Sequence, residues 1–232
     1  MKQSLTSSII LQWDVRNWSK ALRFWEQHVD WPQVNECLEL GGREGGLSLW
    51  LAEKGKTVVC SDLENTASTA GPQHEKFPFA KSITYRDIDA TSIPFENKFD
   101  LIVFKSILGG IGRNDDKKAQ QAVFDTAFKS LKPGGVLLFA ENLQASALHR
   151  YFRKRFTNWS AYWRYPTFEE FEAFSNKFVD VQLNTNGFLG TFGRTEKQRN
   201  FLSFFDKLIF DHITPKKKRY IIYGICTKPN QK

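Results

Sequence analysis

Between Asn35 and Glu141 a series of short apolar runs each ends in glycines or in a side chain that can hydrogen-bond or carry charge. Glu39 leads into a cluster at Gly41, Gly42, Gly45 and Gly46, and Asp62 follows VVCS. Asp87 and Asp89 follow SITYR, Lys105 and Ser106 follow FDLIVF, and Glu141 and Asn142 follow VLLFA. Glycines let backbone approach a ligand closely. In an open parallel sheet, ligands bind beyond the carboxyl ends of the strands. Five such ends in order therefore describe one nucleoside-sized pocket better than any single motif does.

The elements that must position these groups are legible from periodicity. Residues 9–29 repeat at helical spacing with Trp18, Leu22 and Trp25 on one face, which predicts an amphipathic N-terminal helix. Val34–Leu40 reads as a strand, and LSLWLAEKG as a helix closed by Gly55. TVVCSD and SITYRDID read as the second and third strands, and FDLIVF as a buried parallel strand. Asp115–Leu131 reads as a helix with Ala119, Ala122, Val123, Thr126, Ala127 and Leu131 on one side, stopped by Pro133-Gly134-Gly135 before the strand VLLFAE. Residues 142–166, crowded with Trp, Tyr, Phe and Arg, read as an inserted helical cap. Phe168–Phe174 reads as a short helix, Phe178–Leu183 as a sixth strand, Glu196–Asp211 as a helix and Tyr220–Thr227 as the last strand. Strands alternating with helices predict a doubly wound, seven-stranded Rossmann-like α/β sheet with helices on both faces and a cap after strand five. The expected organisation is one domain over 1–232, with a helical segment at 1–30 and a cap at 142–175.

The 232 residues suffice for a sizeable core. No apolar run reaches bilayer length and MKQSLTSS lacks a signal peptide's apolar region, so a cytoplasmic protein is expected. Cys37, Cys60 and Cys226 lie inside apparent strands with no metal or redox spacing and are expected to be small buried residues, with no metal site. The net charge is +8 and aromatics make up 15 %. The basic clusters HRYFRKRF (149–156) and PKKKRY (215–220) suit nucleic acid, an anionic membrane surface, a phosphorylated acceptor, or merely a solvated face. Neither carries a nucleic-acid module motif. Nucleic acid is accordingly the less expected partner, and peripheral membrane contact stays open.

From Val34 to Leu138 the series resembles the class I S-adenosylmethionine-dependent methyltransferases. The family's acidic-Leu-Gly-x-Gly-x-Gly segment corresponds to Glu39-Leu40-Gly41-Gly42-Arg43-Glu44-Gly45-Gly46. The resemblance implies that S-adenosylmethionine is the cofactor and that Gly41, Gly42, Arg43 and Gly45 border its methionine part. Glu39 would lie near its ammonium, and the helix-start amides would face its carboxylate. Arg43 stands where the family has its second glycine; a pyrophosphate would not tolerate that, which argues against NAD. Asp62 would accept from the ribose hydroxyls, or else cap the next helix, and Leu63 would border adenine. Asp89-Ala90-Thr91-Ser92-Ile93-Pro94-Phe95 resembles the family's Asp-Ala-x-x-Leu-Pro-Phe loop, giving Asp89 and Ala90 the adenine edge, with Asp87 as the rival.

At strand four the family often carries an aromatic or an Asn/His pair, and this chain has Lys105-Ser106 and Gly109-Gly110 instead. Lys105 either holds the cofactor's or an acceptor's anionic group or snorkels from a strand end. Methyl transfer needs alignment and exclusion of water, and a hydroxyl acceptor also needs a base. Glu141 and His149 are the candidates, with Lys105 beside them; the alternative for His149 is a surface position in a basic helix. Ser106, Asn142, Tyr151, Trp163, Arg164 and Arg194 are the candidate acceptor contacts, with Trp159, Tyr162 and Tyr165 as further walls. The expected activity is methylation, at oxygen, of a small-molecule or sugar-containing acceptor, with an anionic acceptor left open. The competing readings are an RNA or protein methyltransferase and a non-catalytic domain that keeps the cofactor site.

Overall fold

In the computed structural model, which describes residues 4–157 and 162–230, seven strands form one sheet in the order β3-β2-β1-β4-β5-β7-β6. The strands are β1 (Glu36–Leu40), β2 (Thr57–Asp62), β3 (Ile83–Asp87), β4 (Phe99–Lys105), β5 (Leu131–Asn142), β6 (Val179–Asn186) and β7 (Ile221–Thr227). The first five run parallel and β7 runs antiparallel to both its neighbours. Parallel strands carry alternate side chains to two covered faces, which is why β4 is apolar from Leu101 to Phe104. Leu101 and Val103 join one core layer, and Ile102 and Phe104 join the other.

Helices α1 (Ser7–Leu11), α2 (Val15–His28), α3 (Gly46–Glu53) and α4 (Thr66–His74) precede β3. After β4 come α5 (Leu108–Ile111) and α6 (Lys117–Ser130); α7 (Ala147–Phe156) and α8 (Phe168–Phe174) separate β5 from β6. Beyond β6 lie α9 (Glu196–Phe205) and α10 (Asp211–Ile213), joined by a π-helical turn at Asp206–Phe210.

Three expectations change in detail. The helix expected over 9–29 is two, because Gln12 (φ 68°) and Asp14 (φ 46°) are left-handed; Trp18, Leu22 and Trp25 are buried as expected, on α2 alone. The inner face of α6 is Gln120, Val123, Phe124 and Ala127, with Ala119 and Ala122 half-buried at its edge. The cap is narrower than 142–175. Among the described residues, α7 and the chain at Trp163 and Tyr165 line the cavity over the strand ends, whereas Phe171 of α8 stacks 5.3 Å from Phe139 in the core. Trp159 lies outside the described residues. All three cysteines are free and buried, and among the described residues no group of His, Cys, Asp and Glu could hold a metal.

Candidate active site

The chain leaves β1 through Gly41, whose φ of 62° suits glycine and whose absent Cβ would lie 2.4 Å from Ile107 Cγ2. Arg43 is also left-handed (φ 49°), so an arginine occupies a backbone conformation that favours glycine. Its amide donates to Asp62 Oδ2 at 2.9 Å, and the Leu63 amide donates to Oδ1 at 2.7 Å. Asp62 therefore clasps the glycine loop and does not cap α4. That task falls to Asp87, whose oxygens accept from the amides of Asn65 (3.2 Å) and Thr66 (3.0 Å). The bonds from Thr66 hold the Asp87 carboxyl below its ordinary range.

Glu39 is buried beneath this loop and accepts from the Leu47 amide (3.2 Å), the Ser48 amide (2.7 Å) and Ser48 Oγ (2.5 Å). Burial nevertheless pushes its carboxyl up to about 7. The first-turn amides of α3 thus face Glu39, which corrects the expectation that they face a cofactor carboxylate. Gly45 is turned toward α4, where its carbonyl meets His74 Nε2 at 3.0 Å.

A cavity of about 1090 Å³ opens over these strand ends. Glu39, Gly41, Gly42, Arg43 and Asp62 line one end of it; Lys105, Ser106, Asn142, Trp163 and Arg194 line the remainder. Gly45, Leu63, Asp89 and Ala90 are not among its lining residues. Asp89 is exposed and spends Oδ1 on the amide and hydroxyl of Thr91.

Lys105 does not snorkel. Its ammonium sits 4.7 Å from the ring centroids of both Trp13 and Trp18, with no hydrogen bond or ion pair among the described residues. Burial lowers it to about 8, against the attraction of Glu141. Asn142 Nδ2 donates to Ser106 Oγ at 2.9 Å, fixing both at the cavity floor.

The two expected bases are placed otherwise. Glu141 is buried away from the lining, accepting from the amides of Ile107 (2.5 Å), Leu108 (3.0 Å) and Asn142 (3.3 Å). Those bonds hold the turn into α5 while burial raises its carboxyl to about 7. His149 is no surface residue: it is fully buried, with Nδ1 2.7 Å from Ser146 Oγ and Nε2 2.8 Å from the Phe188 carbonyl. A carbonyl accepts only, so Nε2 carries the proton and Nδ1 takes the serine's. Burial pushes the ring down to about 4, and it serves as a neutral wall stacked 5.0 Å from Phe192.

Two acceptor candidates are also elsewhere. Tyr151 is 64 % exposed and outside the lining. Arg164 is spent on Asp115 (2.7 Å), Glu170 (2.7 Å) and Gln120 (2.6 Å), fastening the cap's return strand to α6 and α8. Beside it, Trp163 lies on Gly109, where a Cβ would come 1.4 Å from the indole nitrogen. The Gly109-Gly110 pair of α5 is thus the seat of an aromatic supplied by the cap.

Asp14 lines the cavity, is 1 % exposed, and was invisible to the periodicity that ran a helix through it. Tyr220 donates its hydroxyl to Asp14 Oδ2, and the Asp14 amide donates to Glu196 Oε1 at 2.7 Å. Among the described residues Oδ1 has no partner. Burial raises the carboxyl to about 7, opposed by the Tyr220 bond and the Arg199 charge. An Asp before a helix reads as a cap, and no sequence signal joins it to Tyr220.

Residues 16–189 match the methyltransferase domain family. The chain belongs to that family, and its sheet has the class I methyltransferase fold. Among solved structures, phosphoethanolamine N-methyltransferase 2 of Haemonchus contortus, in complex with phosphomonomethylethanolamine and S-adenosylhomocysteine, superposes with a TM-score of 0.63 at 18 % identity. That match covers 92 % of this chain and 53 % of the other, so the chain spans about half the length of that relative. An S-adenosylmethionine-dependent methyltransferase of Methanosarcina mazei gives 0.62 at 16 % identity, covering 90 % and 98 %. The [4+2]-cyclase SpnF gives 0.62 at 14 %, covering 92 % and 81 %. A search of the curated proteins finds no match. The residues present fit S-adenosylmethionine: the left-handed Gly41 leaves bare main chain at the loop, and the Asp62 carboxylate lines the cavity beside it.

Proposed function

We propose that the protein methylates a hydroxyl of a small, sugar-like acceptor that carries negative charge, and that Asp14 receives the hydroxyl proton. The observation that carries this reading is that one cavity is lined by the glycine loop, by the cationic cap and by Asp14. Helix α1 covers the loop, since a Cβ at Gly46 would meet the Ile10 carbonyl at 2.3 Å. The chain then crosses at Gln12–Asp14 to the side of Tyr220 and Glu196.

S-adenosylmethionine, when bound, supplies a methyl group on an electrophilic sulfonium. Asp62 takes the ribose hydroxyls, and Asp89, which keeps Oδ2 uncommitted among the described residues, takes the adenine amino group. Asp87 is spent on α4. Arg43 and Lys105 favour a carboxylate or phosphate between them. Trp163, Tyr165 and Phe192 wall the acceptor and exclude water, and Arg194 meets its charge at the rim. An ionised Asp14 accepts the hydroxyl proton through Oδ1 while Tyr220 holds Oδ2, so the carboxylate is oriented before the acceptor arrives.

The test is transfer of a labelled methyl group to glucose 1-phosphate against methyl glucoside, with product analysis for a methyl ether. At least about tenfold preference for the phosphorylated sugar is expected from one charge-assisted contact. Equal rates, or label on nitrogen in an amine counter-screen, would replace this reading.

A further inference from the structure

Around the cavity mouth the protein exposes apolar side chains on two separate helices. On α7 they are Leu148, Phe152 and Phe156, the last 57 % exposed. On α9, the π-helical turn and α10 they are Phe201 (65 %), Phe204, Leu208, Ile209 and Ile213 (68 %). The loop at 192–194 joins the two sets. Phe152 packs 5.0 Å from Phe192, and Phe201 borders a groove formed with Phe192, Gly193 and Arg194. Phe152, Phe156, Phe192 and Arg194 also line the main cavity, so this rim is its entrance.

Among the described residues, the same helices carry exposed cations without matching anions. Arg150, Lys154 and Arg155 stand on α7, which has no acidic residue. Lys197 and Lys207 stand on the second helix, whose three acids are engaged. Glu196 pairs with Arg199 at 3.0 Å, Asp206 accepts from the amides of Leu189 and Gly190, and Asp211 pairs with Lys20. Exposed apolar side chains interleaved with uncompensated Lys and Arg are the composition of a surface that rests on anionic lipid. A second copy fits less well, because a two-fold contact through this face would oppose its own cations. Single-stranded nucleic acid fits less well too, since Leu208, Ile209 and Ile213 offer no ring for a base to stack on.

We infer that this rim docks on an anionic membrane surface, with the cavity mouth facing the bilayer. Among the described residues no helix is long and apolar enough to cross a membrane, so the attachment is peripheral. The inference goes beyond the proposed chemistry and stands or falls apart from it.

The test is co-sedimentation of the full chain with extruded vesicles of phosphatidylcholine and phosphatidylglycerol (3:1) and of phosphatidylcholine alone. Binding to the anionic vesicles is expected, weakened at least about tenfold without phosphatidylglycerol and again in raised salt. The double variant Phe201→Ser/Phe204→Ser and the double variant Lys154→Glu/Arg155→Glu should each lose about tenfold. Circular dichroism and S-adenosylhomocysteine binding report that fold and cofactor site are intact in both. No sedimentation with anionic vesicles, or sedimentation indifferent to both variants, overturns the inference. So does a size-exclusion dimer that Phe201→Ser/Phe204→Ser dissolves, or single-strand RNA binding lost in the same variants.

Discussion

The two ends of the cavity are built by different means. At the cofactor end, each polar group sits within a residue or two of the end of a parallel strand, and its partners are close along the chain or on the adjoining strand. Glu39 reaches Leu47 and Ser48, and Asp62 reaches Leu63 and Arg43. At the acceptor end, the groups come from opposite ends of the chain. Asp14 meets Tyr220 and Glu196, Asn17 donates to Ser203, Asp206 and Tyr220, and Trp163 is received by Gly109. One end is specified by spacing, the other by packing. The cofactor end can therefore stay constant across a fold while the acceptor end changes; the superposed cyclase SpnF is a reminder that the scaffold alone does not set the reaction.

The sharpest way to break this contrast is Asp14→Asn. If Asp14 is the base, transfer should fall by about 10²–10⁴-fold, while calorimetry finds S-adenosylhomocysteine binding within a few-fold of the native value. The native rate should rise with pH through about 7, as the carboxyl ionises, and the variant should lose that rise. A loss of cofactor affinity with the pH profile unchanged would move Asp14 to the other end of the cavity.

The same carboxyl makes a stability prediction whose sign is fixed. Its folded-state value is raised to about 7 by burial, above the ordinary 3.8, so the folded protein holds a proton that the unfolded chain releases over that interval. Its contribution is full below about 4 and is lost as pH rises through 7. Glu39 and Glu141, raised for the same reason, act in the same direction. Melting temperature should fall from pH 5 to 8, less steeply in Asp14→Asn. An unchanged slope in the variant would show that Asp14 titrates normally.

At the cofactor end, Asp62→Ala should weaken S-adenosylhomocysteine by roughly 1–3 kcal/mol, since ribose donors lose their acceptor and the loop loses its clasp. Asp89→Ala should fall in the same range. Asp87→Ala should instead lower the melting temperature by freeing the start of α4, with little effect on affinity. The reverse order for Asp87 and Asp89 would shift the adenine contact to β3 itself.

Gly109→Ala probes the seam between the two ends. A methyl group in the place of the indole costs about 1–3 kcal/mol by overpacking. It should displace Trp163 and slow transfer without touching the glycine loop. The smallest effect is expected from Arg43→Gly: relief of a left-handed arginine is worth roughly 1 kcal/mol of stability, read by thermal melts, with cofactor affinity within a few-fold.

The sheet was legible because its signal is local and repeated. A buried parallel strand such as FDLIVF needs no partner to be recognised, and the polar residues at its end, here Lys105 and Ser106, mark the site. The spacing that singled out Glu39 did not reveal where its oxygens point, because the amides of α3 compete for them. His149 and Glu141 were legible as titratable groups near a strand end, but whether such a group is free or already bonded depends on the main chain folded around it. The helix expected through residues 9–29 failed at Gln12 and Asp14, where left-handed backbone overrides an unbroken apolar period.

Sequence alone therefore determined the α/β sheet, the order of its loops and the buried cysteines. These follow from period-two and period-3.6 patterns and from residues near each other along the chain. Only the tertiary structure decided that Asp14 keeps an oxygen unpartnered among the described residues, that Lys105 lies between two tryptophans and that Arg164 is a fastening. Each depends on burial and on contacts between distant segments. A side chain's ability to act depends on which of its atoms the fold leaves unbonded, and no one-dimensional spacing encodes that.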